Sequence, residues 1–245
     1  MLSRYKLIIQ YDGTKFFGWQ LQKNKRTIQG VLEETIKLIL KSDSRIPVYG
    51  SGRTDTGVHA LGQVAHVDMN IKMNSESMMR ALNGNLPKDI QILNFIRVNN
   101  DFHSRFNAIK RCYIYQFYTG KSLLFNNQSW HIKSLDLKLL NILSTFIIGE
   151  HDFLSFSKFN KDKINTSCII YTSFWEIEND IVYFKIEGNR FLHHMVRYLV
   201  GTMTAVNTKK IAIEEFKVLL NEPKKISRVF KAPSRGLILK EVFYE

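Results

Sequence analysis

Tyr5-Lys6-Leu7-Ile8-Ile9-Gln10-Tyr11 sets Tyr5, Leu7, Ile9 and Tyr11 against Lys6, Ile8 and Gln10, the period of two expected of a strand that buries one face. After a glycine-containing loop, Thr27 stands where it can cap a helix whose Ile28, Val31, Leu32, Ile36 and Ile39 recur at helical spacing. Short strands are expected near Pro47–Gly50 and Gln63–Met69, then a helix near Ser75–Asn83 and a strand near Ile90–Arg97. The order is β-α-β-β-α-β, which is ferredoxin-like: an antiparallel sheet with helices on one face. From Lys110 it begins again. Alternation through Cys112, Ile114, Gln116 and Tyr118 leads to a helix near Leu135–Ile148 carrying Leu139, Leu143 and Phe146. Strands near Cys168–Glu178 and Ile181–Glu187 follow across a Glu178-Asn179-Asp180 turn, then helices near Phe191–Asn207 and Ile213–Leu220 and a last strand near Leu237–Phe243. The expected fold class is α+β: two ferredoxin-like halves, 1–107 and 108–245, side by side with a cleft between them, joined near Asp101–Asn107. Such an order is shared by many proteins, so function must be read from the site.

The chain has 245 residues, enough for a substantial core. Its 35 Lys and Arg against 22 Asp and Glu give a formal charge of +13, which favours a polyanionic partner such as nucleic acid. Two cysteines, Cys112 and Cys168, in unlike contexts support neither a disulfide framework nor a zinc knuckle, and a reducing cytoplasm fits. The first residues become polar too soon for a signal peptide, and no apolar run reaches the ~18–20 residues of a membrane helix.

The stretch richest in chemistry is Gly50-Ser51-Gly52-Arg53-Thr54-Asp55-Thr56-Gly57-Val58-His59-Ala60, between two short strands. Its glycines let the backbone approach a ligand, so a carboxylate is presented on a shaped loop. Taken alone, an Asp in such a loop more often satisfies local backbone donors. No Gly-Lys-Ser/Thr follows, so the phosphate-loop pattern fails. His59, His66 with Asp68, and His193-His194 match no metal-ligand spacing well, and no metal is expected.

Gly52 through Ala60 resembles the signature of the tRNA pseudouridine synthase A family, in which the Asp is the catalytic residue. Further stretches match in family order: Tyr11-Asp12-Gly13-Thr14 with Gly18-Trp19-Gln20, Thr27-Ile28-Gln29-Gly30, Ala81-Leu82-Asn83 with Leu86-Pro87, and Phe102-His103-Ser104-Arg105-Phe106. So do Gly149-Glu150-His151-Asp152-Phe153, Gly188-Asn189-Arg190-Phe191-Leu192 with Met195-Val196-Arg197, and Ala232-Pro233 with Gly236-Leu237. The resemblance covers nearly the whole chain.

It implies an isomerase that breaks the N1–C1′ bond of a uridine in tRNA and rejoins the base through C5, without cofactor or metal. Asp55 would be the nucleophile, at the ribose C1′ or at C6 of the base; a carboxylate suits either, since it forms a transient covalent bond and moves a proton. Tyr113 would stack on the flipped base, and Arg197 would pair with the nucleophile, which accounts for an arginine within an apolar helix. Leu239 or Leu237 would floor the pocket. Arg53 would reach a phosphate, help flip the base, or merely pack over the loop. Arg105, Lys110 and Arg111 suit phosphate contacts, although such charges are often only a solvated face. The resemblance further implies uridines 38, 39 and 40 of the anticodon stem-loop and a homodimer across which tRNA binds. Thr166-Ser167-Cys168-Ile169 departs from a basic Thr-Val-Arg-Thr-like stretch, which bears on substrate range. The rivals are a non-catalytic RNA-binding module, an Asp/His hydrolase acting on RNA, and the same chemistry directed to another RNA position.

Overall fold

The computed structural model describes residues 2–121, 123–158 and 165–245. It divides into two compact units, Met1–Ile109 with Leu239–Glu245, and Lys110–Ile238. In the first, β1 (Ser3–Tyr11), α1 (Ile28–Leu40), β2 (Val48–Gly50), β3 (His59–Met69), α2 (Ser75–Asn85) and β4 (Ile90–Val98) follow in the expected order. All pairings among these strands are antiparallel and run β4-β1-β3-β2, the ferredoxin-like arrangement. The far edge of β3 is shared: β2 pairs its later residues, and β10 (Leu237–Phe243) lies beside its start, where Gly62 faces the Lys240 carbonyl.

The period-two alternation decides which face is buried. Tyr5, Leu7, Ile9 and Tyr11 are buried, whereas Arg4, Lys6 and Ile8 are half-buried and Gln10 is exposed. Ile28, Leu32 and Ile36 of α1 and Met78 and Leu82 of α2 are fully buried, each aliphatic side chain contributing ~1.5–3 kcal/mol by leaving water. Thr27 caps α1 by accepting the Gly30 N–H at 3.2 Å, and Lys41 ends the helix in the left-handed region. Strand β3 begins at His59 rather than Gln63, so the end of the Gly50–Ala60 stretch is already sheet.

The second unit contains β5 (Lys110–Tyr118), β6 (Trp130–His131), α3 (Leu137–Thr145), β7 (Gly149–Asp152), β8 (Ser167–Glu178), β9 (Ile181–Gly188), α4 (Met195–Asn207) and α5 (Ile213–Asn221). Its antiparallel order is β5-β9-β8-β7, with β6 parallel to β5. Three expectations change. Helix α3 is shorter than Leu135–Ile148 and buries Leu140 beside the expected Leu143, while Leu139 and, just past its end, Phe146 are half-buried; apolar residues surround it, so the sequence pattern admits more than one face. On β5 the most deeply buried side chains are Tyr115 and Phe117, of the opposite parity to the expected series. Helix α4 begins at Met195, not Phe191, because His194 before it adopts a left-handed conformation with φ 66°. Among the described residues no helix is long and apolar enough to cross a membrane.

Candidate active site

The Ser51–Val58 loop connects β2 to β3 and is held from one side by the segment after β1. Tyr11 and Thr54 join their hydroxyls at 2.8 Å. Trp19 donates its backbone N–H to the Thr54 carbonyl at 3.0 Å, and Gly57 donates to the Phe16 carbonyl at 3.3 Å. Gly18 makes this approach possible. Its φ is +83°, and a Cβ there would lie 2.6 Å from the Thr54 oxygen. From the other side Gln63, fully buried, accepts from the Ser51 hydroxyl at 2.7 Å and donates to the Gly52 carbonyl at 3.0 Å. Burial pushes the Tyr11 phenol up to about 12, against the opposing hydrogen bonds of Thr54 and Gln63, so it stays a neutral anchor.

Asp55 is half-buried within this frame, and its carbonyl accepts the Val58 N–H at 3.1 Å. Because the loop is fixed on both sides of it, Asp55 is held in place, a setting that suits a positioned nucleophile. Arg53 is exposed, with Nε donating to Gln20 at 2.9 Å. His59, at the foot of the loop, has Nδ1 3.1 Å from both the Gly13 N–H donor and an Asp12 carboxylate oxygen. It serves one at a time: unprotonated it accepts from Gly13, protonated it donates to Asp12. Burial works to raise the Asp12 carboxyl, but the Thr14 hydroxyl and N–H together with His59 outweigh it and hold Asp12 below the usual carboxylate range.

In the second unit, Tyr113 is half-buried on β5 opposite Ile186, its ring edge-on to Phe191 at 5.2 Å. Arg197, half-buried on α4, donates Nε to the Ala232 carbonyl at 2.9 Å, while Ala232 donates its N–H to the Arg197 carbonyl. The Met195–Arg197 and Ala232-Pro233 stretches are thus two sides of one clamp. Lys110 pairs with Glu187 at 2.8 Å, and Arg111 donates to the Asn189 carbonyl at 2.7 Å, so a phosphate would have to compete with these partners. Arg105, in the first unit, is exposed, and its guanidinium lies 5.8 Å from the Phe106 ring. Leu237 and Leu239 are both buried, Leu239 in the first unit and Leu237 in the second. At the departure from the family pattern, Thr166 bonds Asp152 and Ser167 bonds Glu150, fastening the edge where β7 meets β8.

Sequence reasoning gave Tyr11, Trp19 and Gln63 no role at the loop. Tyr11 and Trp19 lie in stretches already singled out, a usable signal; Gln63 carried none. The left-handed His194 is a second omission, a strained residue at the head of the helix that bears Arg197.

The sequence that builds this loop has relatives. Residues 7–107 and 145–245 match the family model described as tRNA pseudouridine synthase. Among curated proteins, the chain is 37% identical over 241 residues to the tRNA pseudouridine synthase A of Phytoplasma mali, covering 98% of each. It is 39% identical to that of Mycoplasma genitalium, covering 100% of both chains, and 39% identical to that of Dictyoglomus thermophilum over 99% of this chain and 100% of the other. The chain belongs to the tRNA pseudouridine synthase family, and with it to the isomerases.

Proposed function

We propose that this protein converts uridine to pseudouridine at positions 38, 39 and 40 of the tRNA anticodon stem-loop, with Asp55 as the nucleophile. The observation that carries the reading is the Ser51–Val58 loop, in which Asp55 stands half-buried between Thr54, tied down by Tyr11 and Trp19, and Gly57, tied down by Phe16, in a chain of this family. The N1–C1′ bond breaks, the uracil turns, C5 bonds to C1′, C5 loses its proton and N1 gains one. Nothing is oxidised or reduced. The Asp55 carboxylate bonds transiently either to C1′ or to C6, and the target base leaves its stack to reach it.

Family resemblance supports further roles. Tyr113 stacks on the flipped base, Arg197 pairs with Asp55 and Leu239 lines the pocket; by their charge, rather than by the resemblance, Arg105, Lys110 and Arg111 hold phosphates, and Arg53 reaches a phosphate or helps flip the base. The halves 1–107 and 108–245 both contribute to the site. The same resemblance supports a homodimer acting in the cytoplasm. Pseudouridine mapping of tRNA transcripts incubated with the purified protein tests the reading. Modification is expected at uridines 38, 39 and 40 and nowhere else; modification confined to another part of the tRNA would refute the positional assignment.

A further inference from the structure

Apart from Arg105, the Phe102–Phe106 stretch has no role in the function proposed above, yet hydrogen bonds and ring contacts fix it in place. On the less covered face of the first unit's sheet, Tyr49 of β2 and His66 of β3 are register partners and stack at 5.1 Å with 19° between planes. His103 packs on His66 at 4.6 Å, and Phe106 on His103 at 4.2 Å. The ends of this ring column are open, with Phe106 75% and Tyr49 50% exposed, while His66 within it is buried. The column is pinned by hydrogen bonds rather than left to find its place. His103 Nδ1 accepts the N–H groups of Arg105 and Phe106 at 3.1 and 3.3 Å, and the His103 N–H donates to Asn107. Ser104 donates its hydroxyl to the Tyr49 carbonyl at 2.6 Å and its N–H to His66 Nδ1 at 3.2 Å, and Tyr244 donates to the Ser104 carbonyl.

Cations border the rings. The Arg105 guanidinium is 5.8 Å from Phe106, and Lys6 Nζ is 4.6 Å from the Tyr244 ring and 5.5 Å from Phe102. A rigid aromatic face left in water beside positive charge, on a chain of formal charge +13, complements a base with its phosphate and not an apolar protein surface. Tyr49 immediately precedes Gly50, where the loop of Asp55 begins. Neighbouring side chains on a strand point to opposite faces, and the Gly50 side faces Trp19. Whatever stacks on the column is therefore a different nucleotide from one presented at the loop.

We propose that Phe106, backed by His103, His66 and Tyr49, is a stacking platform for a second, unpaired nucleobase of the RNA substrate, with Arg105 on its phosphate. The proposal rests on RNA being the partner. It is tested by anisotropy titration of the full-length protein against a tRNA transcript. Phe106→Ala and Phe106→Leu are both expected to weaken binding roughly 5- to 100-fold, and Phe106→Trp to restore it, because the π face and not apolarity is used. The dependence of log affinity on log salt should keep its slope in the Phe106 variants, and the slope should fall in magnitude by about 1 in Arg105→Ala, which removes one phosphate contact. Leu38→Ala, at an exposed apolar position on α1, is the unaffected control. Wild-type affinity in Phe106→Leu would overturn the proposal. So would a smaller assembly of Phe106→Ala by light scattering without RNA, which would show a second copy covering the face. Binding is read without turnover: a protein that binds tRNA through Phe106 yet makes no pseudouridine would sink the proposed function alone.

Discussion

The two units build the same hairpin and use it differently. In the second, β8 passes to β9 through Asn179 and Asp180 alone, with Glu178 opposite Ile181 and Asn179 left-handed at φ 55°. In the first, the corresponding passage from β2 to β3 is the whole Ser51–Val58 loop. A two-residue turn closes directly on its flanking strands, and here, among the described residues, only Thr119 is needed from outside, donating its N–H and hydroxyl to the Asp180 carbonyl at 2.9 and 3.0 Å. The longer loop leaves backbone groups for others to satisfy: Trp19 and Gln63 donate to the Thr54 and Gly52 carbonyls from outside, Tyr11 bonds the Thr54 hydroxyl, and Asp55 is held in the process. Other devices are shared. Asn83 of α2 bonds both the N–H and the carbonyl of Ile92 on β4, and Asn141 of α3 bonds both groups of Trp175 on β8. The repeated element order supplies the scaffold, and the unequal loop is where the proposed function puts the chemistry.

The comparison can be broken first at its left-handed glycines. Gly18→Ala places a methyl 2.6 Å from the Thr54 carbonyl at φ +83°, whereas Gly149→Ala, at φ +101°, meets nothing closer than His151 Nε2 at 3.9 Å. Gly149→Ala should cost the strain alone, about 1–2 kcal/mol, and Gly18→Ala about twice that. At this chain length the larger loss lowers Tm by roughly 4–16 °C. Calorimetry decides it; equal losses would mean that the loop's close packing is not what requires Gly18.

The paired asparagines come next. Asn83→Ala and Asn141→Ala each leave a backbone donor and acceptor of the adjacent strand without their partner and should each cost about 2 kcal/mol in urea denaturation. A neutral result at either one would show that the two clamps are not equivalent.

Much of this scaffold was legible in the sequence. The alternation in Tyr5–Tyr11 and the capped apolar stripe of α1 are long and regular, and local periodicity is enough to read them. Helix α3 is short and lies in a run of apolar residues, so its buried face could not be chosen without knowing what packs on it. Strand β7 is polar and exists because it pairs with the edge of β8, a tertiary fact. At the candidate site, Asp55 was singled out through a contiguous motif. Its supports were not, because Tyr11 and Gln63 are fifty-two residues apart and meet only after β1 and β3 pair. The start of α4 was missed because a left-handed histidine leaves no sequence signature.

A further effect appears only in acid. Among the described residues the buried histidines, His59 and His66, are both in the first unit. Burial, with the charges of Arg4 and His103 and against the pull of Asp68, lowers His66 to about 4. The unfolded chain takes up this proton near pH 6.5 and the folded chain only near 4, so the folded state is fully favoured above 6.5 and loses stability as pH falls through that window, by at most about 3 kcal/mol. Hydrogen exchange at pH 4.5 should show β2 and β3 opening before β8 and β9, and His66→Phe should flatten the fall in Tm between pH 6.5 and 4. An unchanged slope would remove His66 from the acid response.

The central claim is that the unequal loop performs the chemistry, and Asp55→Asn tests it most directly. The amide is nearly isosteric and keeps the loop's shape but is a far poorer nucleophile. Pseudouridine formed in a tRNA transcript under single-turnover conditions is predicted to fall by at least about 10³-fold, with Tm and tRNA affinity unchanged. Pseudouridine formation by Asp55→Asn within tenfold of the wild-type rate would contradict the account.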